Sequence, residues 1–209
     1  MGEWRLFEEG TVPEYTTPAW YAGREHAPHL EQDLHRGRLQ EAADQVMSIA
    51  DTRGPVSVVD LGAGDGGLLS LLPNDLVFSC WGYDLQQTNV AAARHRGVSV
   101  RLGDAVEGWC RPRFPRESDR QPIEWGDVAV CTEMLEHLID PHAFVRTIAD
   151  HCPVLVASSP YTERPGSAYE YHTWAWDPDG YKALMEQAGY YVTRSRLVDM
   201  FQVVTAVKP

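Results

Sequence analysis

Apolar residues along this chain follow two alternating patterns, short β-branched runs and longer stretches in which they recur every three or four positions. The runs predict strands at Val56–Val59, Leu76–Tyr83, Val98–Leu102, Asp127–Cys131, Val154–Ala157, Tyr190–Leu197 and Phe201–Val207. The helical spacing predicts an amphipathic helix over 29–50, carried by Leu30, Leu34, Leu39, Ala42, Ala43, Val46 and Ile49, and another over 86–96. Leu68, Leu69, Leu71 and Leu72 predict a helix after the first core strand, Thr132 is placed to cap one after the fourth, and Asp177-Pro178 opens one that ends near Gly189. Strands alternating with helices at this spacing imply an α/β fold, a doubly wound and mainly parallel sheet with helices on both faces.

The stretch from Val56 to Ser70 organises the rest. A strand stops at Asp60, and Gly62, Gly64, Gly66 and Gly67 follow within a few residues. Glycine removes the Cβ that would hold a ligand away from the backbone, so Gly62 and Gly64 are expected to bring main-chain N–H groups against a small polar molecule. A dinucleotide or phosphate site is a poor fit, because Asp60 would repel a pyrophosphate and Asp65 adds a second acid inside the turn. A cationic ammonium or sulfonium ligand suits these carboxylates better.

Residues 1–28 hold Trp4, Phe7, Tyr15, Trp20 and Tyr21 among prolines without sustained period, which predicts an irregular aromatic arm, either a staple to the domain surface or a lid over a ligand. His26, His29 and His35 cluster where the first helix begins, as solvated or capping residues or as a metal trio. Residues 106–126, with Arg111, Arg113, Arg116 and Arg120 among prolines, read as a loop. The 209 residues fit one domain with a short appendage: an arm and helix covering the site at 1–50 and a ligand-binding domain at 51–209. A net charge of −12 disfavours a nucleic-acid partner, and no apolar run approaches a membrane span. The four scattered cysteines read as buried thiols, so a cytoplasmic protein is expected, monomeric or homodimeric.

In an open parallel sheet the ligand lies beyond the carboxyl ends of the strands. There the sequence places Asp60-Leu61-Gly62, Asp84-Leu85, Asp104-Ala105 and Thr132-Glu133-Met134, an acid at every tip. Asp84 stands where a carboxylate accepts both hydroxyls of a ribose. With Val58–Gly66, Gly82–Leu85, Gly103–Ala105, Asp127–Leu138 and Leu155–Pro160, the chain resembles the class I S-adenosylmethionine-dependent methyltransferases over about residues 50–209. The resemblance implies a Rossmann-like seven-stranded sheet whose last strand is antiparallel. It implies that Asp60 and the turn Gly62, Ala63, Gly64 and Gly66 hold the methionine part of the cofactor and Asp84 its ribose. Leu85 would pack on adenine, Asp104 and Ala105 would read its polar edge, and Glu133 and Met134 would border the cofactor opposite.

Glu133-Met134-Leu135-Glu136-His137-Leu138, followed by Asp140-Pro141 and later His172, resembles the ubiquinone-pathway and natural-product O-methyltransferases. The implied activity is methyl transfer to an oxygen or nitrogen of a small molecule, with His137 the foremost proton acceptor and His172 and Glu136 beside it. The aromatic residues Tyr161, Tyr169, Tyr171, Trp174 and Trp176 around His172 read either as walls of the substrate pocket or as packing. The same pattern is similar to the metal-dependent small-RNA 2′-O-methyltransferases, where it implies Mg²⁺ or Mn²⁺ on Glu133, Glu136, His137 and His172. On a helix Glu133, Glu136 and His137 would share one face. A cofactor-binding regulator or partner subunit that keeps the fold without the chemistry is the reading from another class.

Overall fold

Successive residues of the central strands are buried on opposite faces of one sheet, which is what a sheet covered by helices on both sides requires. The computed structural model describes residues 2–25, 28–112 and 119–209. In chain order its strands are β1 (Glu3–Arg5), β2 (Val56–Leu61), β3 (Val77–Asp84), β4 (Val100–Asp104), β5 (Trp109–Cys110), β6 (Gln121–Pro122), β7 (Val128–Thr132), β8 (Val154–Pro160), β9 (Trp174–Trp176), β10 (Tyr191–Val198) and β11 (Phe201–Val207). The helices are α1 (Pro18–Ala22), α2 (Asp33–Arg53), α3 (Gln87–Arg96), α4 (Pro141–His151) and α5 (Pro178–Gln187).

Among the described residues the large sheet runs β10-β11-β8-β7-β2-β3-β4-β5-β6. Strands β8, β7, β2, β3 and β4 are parallel, and β11 lies antiparallel between β8 and β10. The Rossmann-like order expected from the sequence is therefore present as a seven-stranded core. Val58, Val128, Val130, Val154, Val156 and Val203 point to the layer built by α2 and α3. Val59, Ala129, Cys131, Leu155, Ala157 and Val204 point to the layer that holds Phe144 and Ile148 of α4 and Tyr181 and Leu184 of α5. All four cysteines are free thiols. No helix among the described residues is long and apolar enough to cross a membrane.

Several local expectations are corrected. The turn after β2 leads into a single 3₁₀ turn, Leu69–Leu71, in place of a helix. Pro73 follows, and a residue before proline is driven out of the helical region, as the extended Leu72 shows. Thr132 caps nothing. Glu133 adopts φ 55, only Leu135–His137 coil as a 3₁₀ turn, and Asp140 caps α4 by accepting from the Ala143 N–H at 2.8 Å. Glu133, Glu136 and His137 consequently do not share a helix face.

The N-terminal arm is not irregular throughout: β1 pairs antiparallel with β9, and Thr17 caps α1. Part of the 106–126 loop joins the sheet edge, β5 pairing with β4 and β6 with β5; Arg113 and Arg116 lie outside the described residues, as does His26. Helix α2 runs through residue 50 to Arg53, so a division of the chain at 50 falls within its last turn.

Gly82 in β3 shows how tightly the glycine turn is seated. A Cβ there would come within 2.4 Å of Ala63 Cβ and 3.1 Å of the Asp60 carbonyl oxygen. Overpacking of this kind costs about 1–3 kcal/mol. Gly82→Ala is expected to lower the urea midpoint accordingly; an unchanged midpoint would mean that the turn has slack.

Candidate active site

The carboxyl ends of the parallel strands open into a cavity of about 850 Å³. Asp60, Gly62, Ala63, Gly64, Asp84, Leu85, Asp104, Ala105, Glu133, Met134, His137 and His172 all line it. Two sequence candidates do not. A Cβ on Gly66 would lie 2.3 Å from Val98 Cγ2, which places that glycine against packing, and Glu136 is fully buried beneath the wall.

On the β2 side, Asp60 is almost wholly buried, and its Oδ1 has no hydrogen-bond partner within the protein. Burial, reinforced by the neighbouring Asp84 and opposed by Arg38, pushes its carboxyl up to about 7. The turn that follows uses its amides internally. Gly62 and Ala63 donate to the Tyr83 carbonyl at 3.0 Å, and Gly64 donates to Asp84 Oδ2 at 2.8 Å. The expectation that these N–H groups face a ligand is therefore corrected, because β3 lies close enough to take them all. What remains on this wall is an acceptor surface of carboxylates and carbonyls, suited to a cation.

Asp84 also accepts from the Gln86 N–H at 2.8 Å and Asn89 Nδ2 at 3.1 Å. Burial raises its carboxyl in spite of these bonds. Asp104 takes the amides of Val106 and Glu107 on Oδ1, both at 3.0 Å, and thereby shapes the rim beside Ala105.

Opposite stands a polar cluster. His137 Nδ1 lies 3.1 Å from the Tyr171 carbonyl, and a carbonyl only accepts, so Nδ1 carries the proton and Nε2 keeps its lone pair. His172 Nδ1 lies 2.6 Å from Glu163 Oε2, which selects the same tautomer. The two rings meet edge to face with centroids 4.6 Å apart. Burial lowers His137 to about 3, so it is neutral at physiological pH. Glu136 has no partner for either carboxylate oxygen, and burial, with Glu133 second, raises it well above the usual range. One ligand atom each from Glu136, His137 and His172 lies within 4.8 Å of the others. Glu133 is outside that group; its φ of 55 carries the side chain to Ser158 Oγ, 3.2 Å away, and to Arg38 Nε at 4.0 Å.

Residues 34–202 match the sequence profile of a methyltransferase domain. The chain belongs to the class I S-adenosylmethionine-dependent methyltransferases. Among curated proteins it is 38 % identical over 86 residues to a trans-aconitate 2-methyltransferase of Mycolicibacterium gilvum, an overlap of 40 % of this chain and 31 % of that protein. It is 35 % identical over 92 residues to a ubiquinone biosynthesis O-methyltransferase of Idiomarina loihiensis, an overlap of 44 % and 36 %. The matched stretch thus spans about a third of the length of these relatives. Among solved structures, magnesium protoporphyrin IX methyltransferase of Synechocystis with bound S-adenosylhomocysteine superposes with a TM-score of 0.63 at 17 % identity, over 90 % of this chain and 91 % of that one. At that identity the likeness carries the fold.

For this methyltransferase the structure adds cavity residues that the strand-tip reading does not reach. Arg38 of α2 is a buried cation between Glu133 and the Phe201 ring, on the helix face that also carries Ala42 and Val46. A charge four residues before Ala42 on an apolar stripe was its sequence signal. Glu163 had none, since only the fold of the segment between β8 and β9 sets it against His172. The His29 and His35 rings lie tilted to one another with centroids 4.4 Å apart beside Arg38, and both are lowered to about 4, chiefly by burial. The adjacent guanidinium opposes a cation there.

The raised Asp60 carboxyl has a measurable consequence. Between about pH 4, where an unfolded Asp titrates, and about 7, the folded state holds a proton that the unfolded state has released. Stability therefore falls as pH rises through that window, by roughly 3–4 kcal/mol from this group alone. Urea unfolding near pH 5 and near pH 8 should show the loss, and Asp60→Asn should remove a large part of it; equal slopes in the two proteins would show that Asp60 is charged throughout.

Proposed function

We propose that this chain transfers the methyl group of S-adenosylmethionine to an oxygen or nitrogen of a small molecule. The observation that carries the reading is the unpartnered, buried Asp60 Oδ1 on a wall made of acceptors, across one cavity from two imidazoles that both offer Nε2. The residues present fit the cofactor. Asp60 and the turn at Gly62, Ala63 and Gly64 would take its ammonium, Arg38 its carboxylate and Asp84 its ribose hydroxyls. Leu85, Asp104 and Ala105 would meet adenine, with Glu133 and Met134 facing them; Gly66 would act through the shape of the turn.

The bound cofactor supplies an electrophilic methyl on a sulfonium, and the chain supplies alignment and a proton acceptor. As the acceptor atom of the substrate forms its bond to carbon, its proton would pass to Nε2 of His137 or His172. The depressed His137 is always ready to accept but is a weak base. His172, tied to a carboxylate, is the better supported imidazole. A small acceptor is favoured by the cavity's volume of about 850 Å³ and by the charge of −12, which works against a polyanionic RNA. The assembled imidazole and carboxylate cluster favours an enzyme over a regulator that merely keeps the fold.

Titration calorimetry with S-adenosylhomocysteine tests the reading. An ammonium beside Asp60 would restore its charge, so binding near pH 6 should release close to one proton, visible as heat that varies with the buffer. Asp84→Ala should weaken binding by about 1–3 kcal/mol. No binding at millimolar ligand would sink the proposal.

A second reading is favoured by Glu136, whose two carboxylate oxygens are buried without partners. A divalent cation, Mg²⁺ or Mn²⁺, held by Glu136, His137 and His172 would satisfy them, and the engaged Nδ1 atoms of both imidazoles resemble the outer support of metal ligands. Methyl transfer that a chelator abolishes and Mn²⁺ restores would establish it; rates indifferent to chelator would leave the imidazoles acting alone.

A further inference from the structure

Tyr21 and Arg24, on the N-terminal arm, are two side-chain hydrogen-bond donors with no acceptor among the described residues. Both line the cavity. The Tyr21 hydroxyl is buried without a partner, and burial raises it, so it stays protonated and can donate. Arg24 is half-buried with its guanidinium over the rings of Trp20, at 4.6 Å, and Tyr171, at 5.9 Å. Among the described residues no carboxylate pairs with it, although the chain carries 30 acids against 18 lysines and arginines. The other cavity-lining arginine, Arg38, has Glu133. A guanidinium held by its faces on aromatic rings keeps its N–H edge open, and that edge matches a planar, two-oxygen anion.

We propose that Tyr21 and Arg24 form the subsite for an acidic group on the methyl acceptor, which makes the substrate class a small aromatic or unsaturated carboxylic acid. The surroundings define the rest of that class. Tyr169, Leu138, Ile139, Phe144 and Met134 give the cavity apolar and aromatic walls, while His137 and His172 mark where the nucleophile sits. An acid entering a chain of net charge −12 is repelled at long range, so a local cation without a counterion is what would make its binding selective. The inference rests on the methyltransferase reading above. A carboxylate could also come from the methionine part of the cofactor, and the two sources are separable.

The test loads the protein with S-adenosylhomocysteine and titrates para-hydroxybenzoate and its neutral amide, following protein NMR shifts. The acid should bind about tenfold more tightly than the amide. Arg24→Gln should erase that preference, Tyr21→Phe should reduce it, and added salt should weaken the acid alone. Affinity for S-adenosylhomocysteine should be the same in Arg24→Gln as in the parent protein.

Equal binding of acid and amide, or binding of neither at millimolar concentration, would overturn the proposal while leaving the methyltransferase reading intact. If Arg24→Gln weakens S-adenosylhomocysteine but leaves methylthioadenosine, which lacks the amino-acid part, unchanged, the subsite belongs to the cofactor and the proposal fails. Failure of the parent protein to bind S-adenosylhomocysteine would overturn both together.

Discussion

The carboxylate of Asp84 ties the binding edge together. It takes N–H groups from Gly64, Gln86 and Asn89, so the turn after β2, the tip of β3 and the first turn of α3 share one anchor. Charge-assisted bonds of this kind are the strong ones, and here they are made in a buried setting. The arrangement has a cost. Drawing Asp84 into the protein places it near Asp60, and this second carboxylate adds to the burial that strengthens Asp60's hold on its proton. The geometry of the glycine turn and the neutral state of Asp60 thus have a common origin.

The same logic extends across the cavity. Glu133, half-buried, and Glu136, fully buried, are both pushed toward the protonated form, while His29, His35 and His137 are pushed toward the neutral one. Burial thus weakens the charge of several groups at and beneath the cavity wall, and Arg24 and Arg38 are the arginines set among them. A ligand that brings its own charge meets groups ready to change protonation state, which couples binding to pH.

Much of this fold was legible in the sequence because its central strands are buried on both faces. Continuous Val-rich runs such as Val56–Val59 and Val154–Ala157 have few other uses. The acids at Asp60, Asp84 and Asp104 were legible as well, since each ends a strand in a sheet whose ligand edge is set by topology. What could not be read depended on one nearby residue or on distant contacts. Pro73 overrides the leucine spacing after the glycine turn, and the positive φ of Glu133 moves the start of the next helix from Thr132 to Asp140. The pairing of β1 with β9 joins residues about 170 positions apart, and the Glu163–His172 contact depends on how a long connection folds back. Neither leaves a local pattern.

The arm is attached at both of its ends. Its first strand is zipped to β9, the Gly2 N–H bonds to Asp177 at the start of α5, and its far end runs into α2, which is packed on the sheet. The described residues between include Thr16, Pro18, Tyr21 and Arg24 of the cavity lining, so this wall of the cavity is held from β9 on one side and from α2 on the other. A chain segment already closed into a loop has less conformational freedom to lose when it settles over a ligand than a tail would. β9 begins two residues after His172, so the strand that anchors the arm and the imidazole belong to one short stretch of chain. The attachment of the arm and the placement of that imidazole thereby share one support.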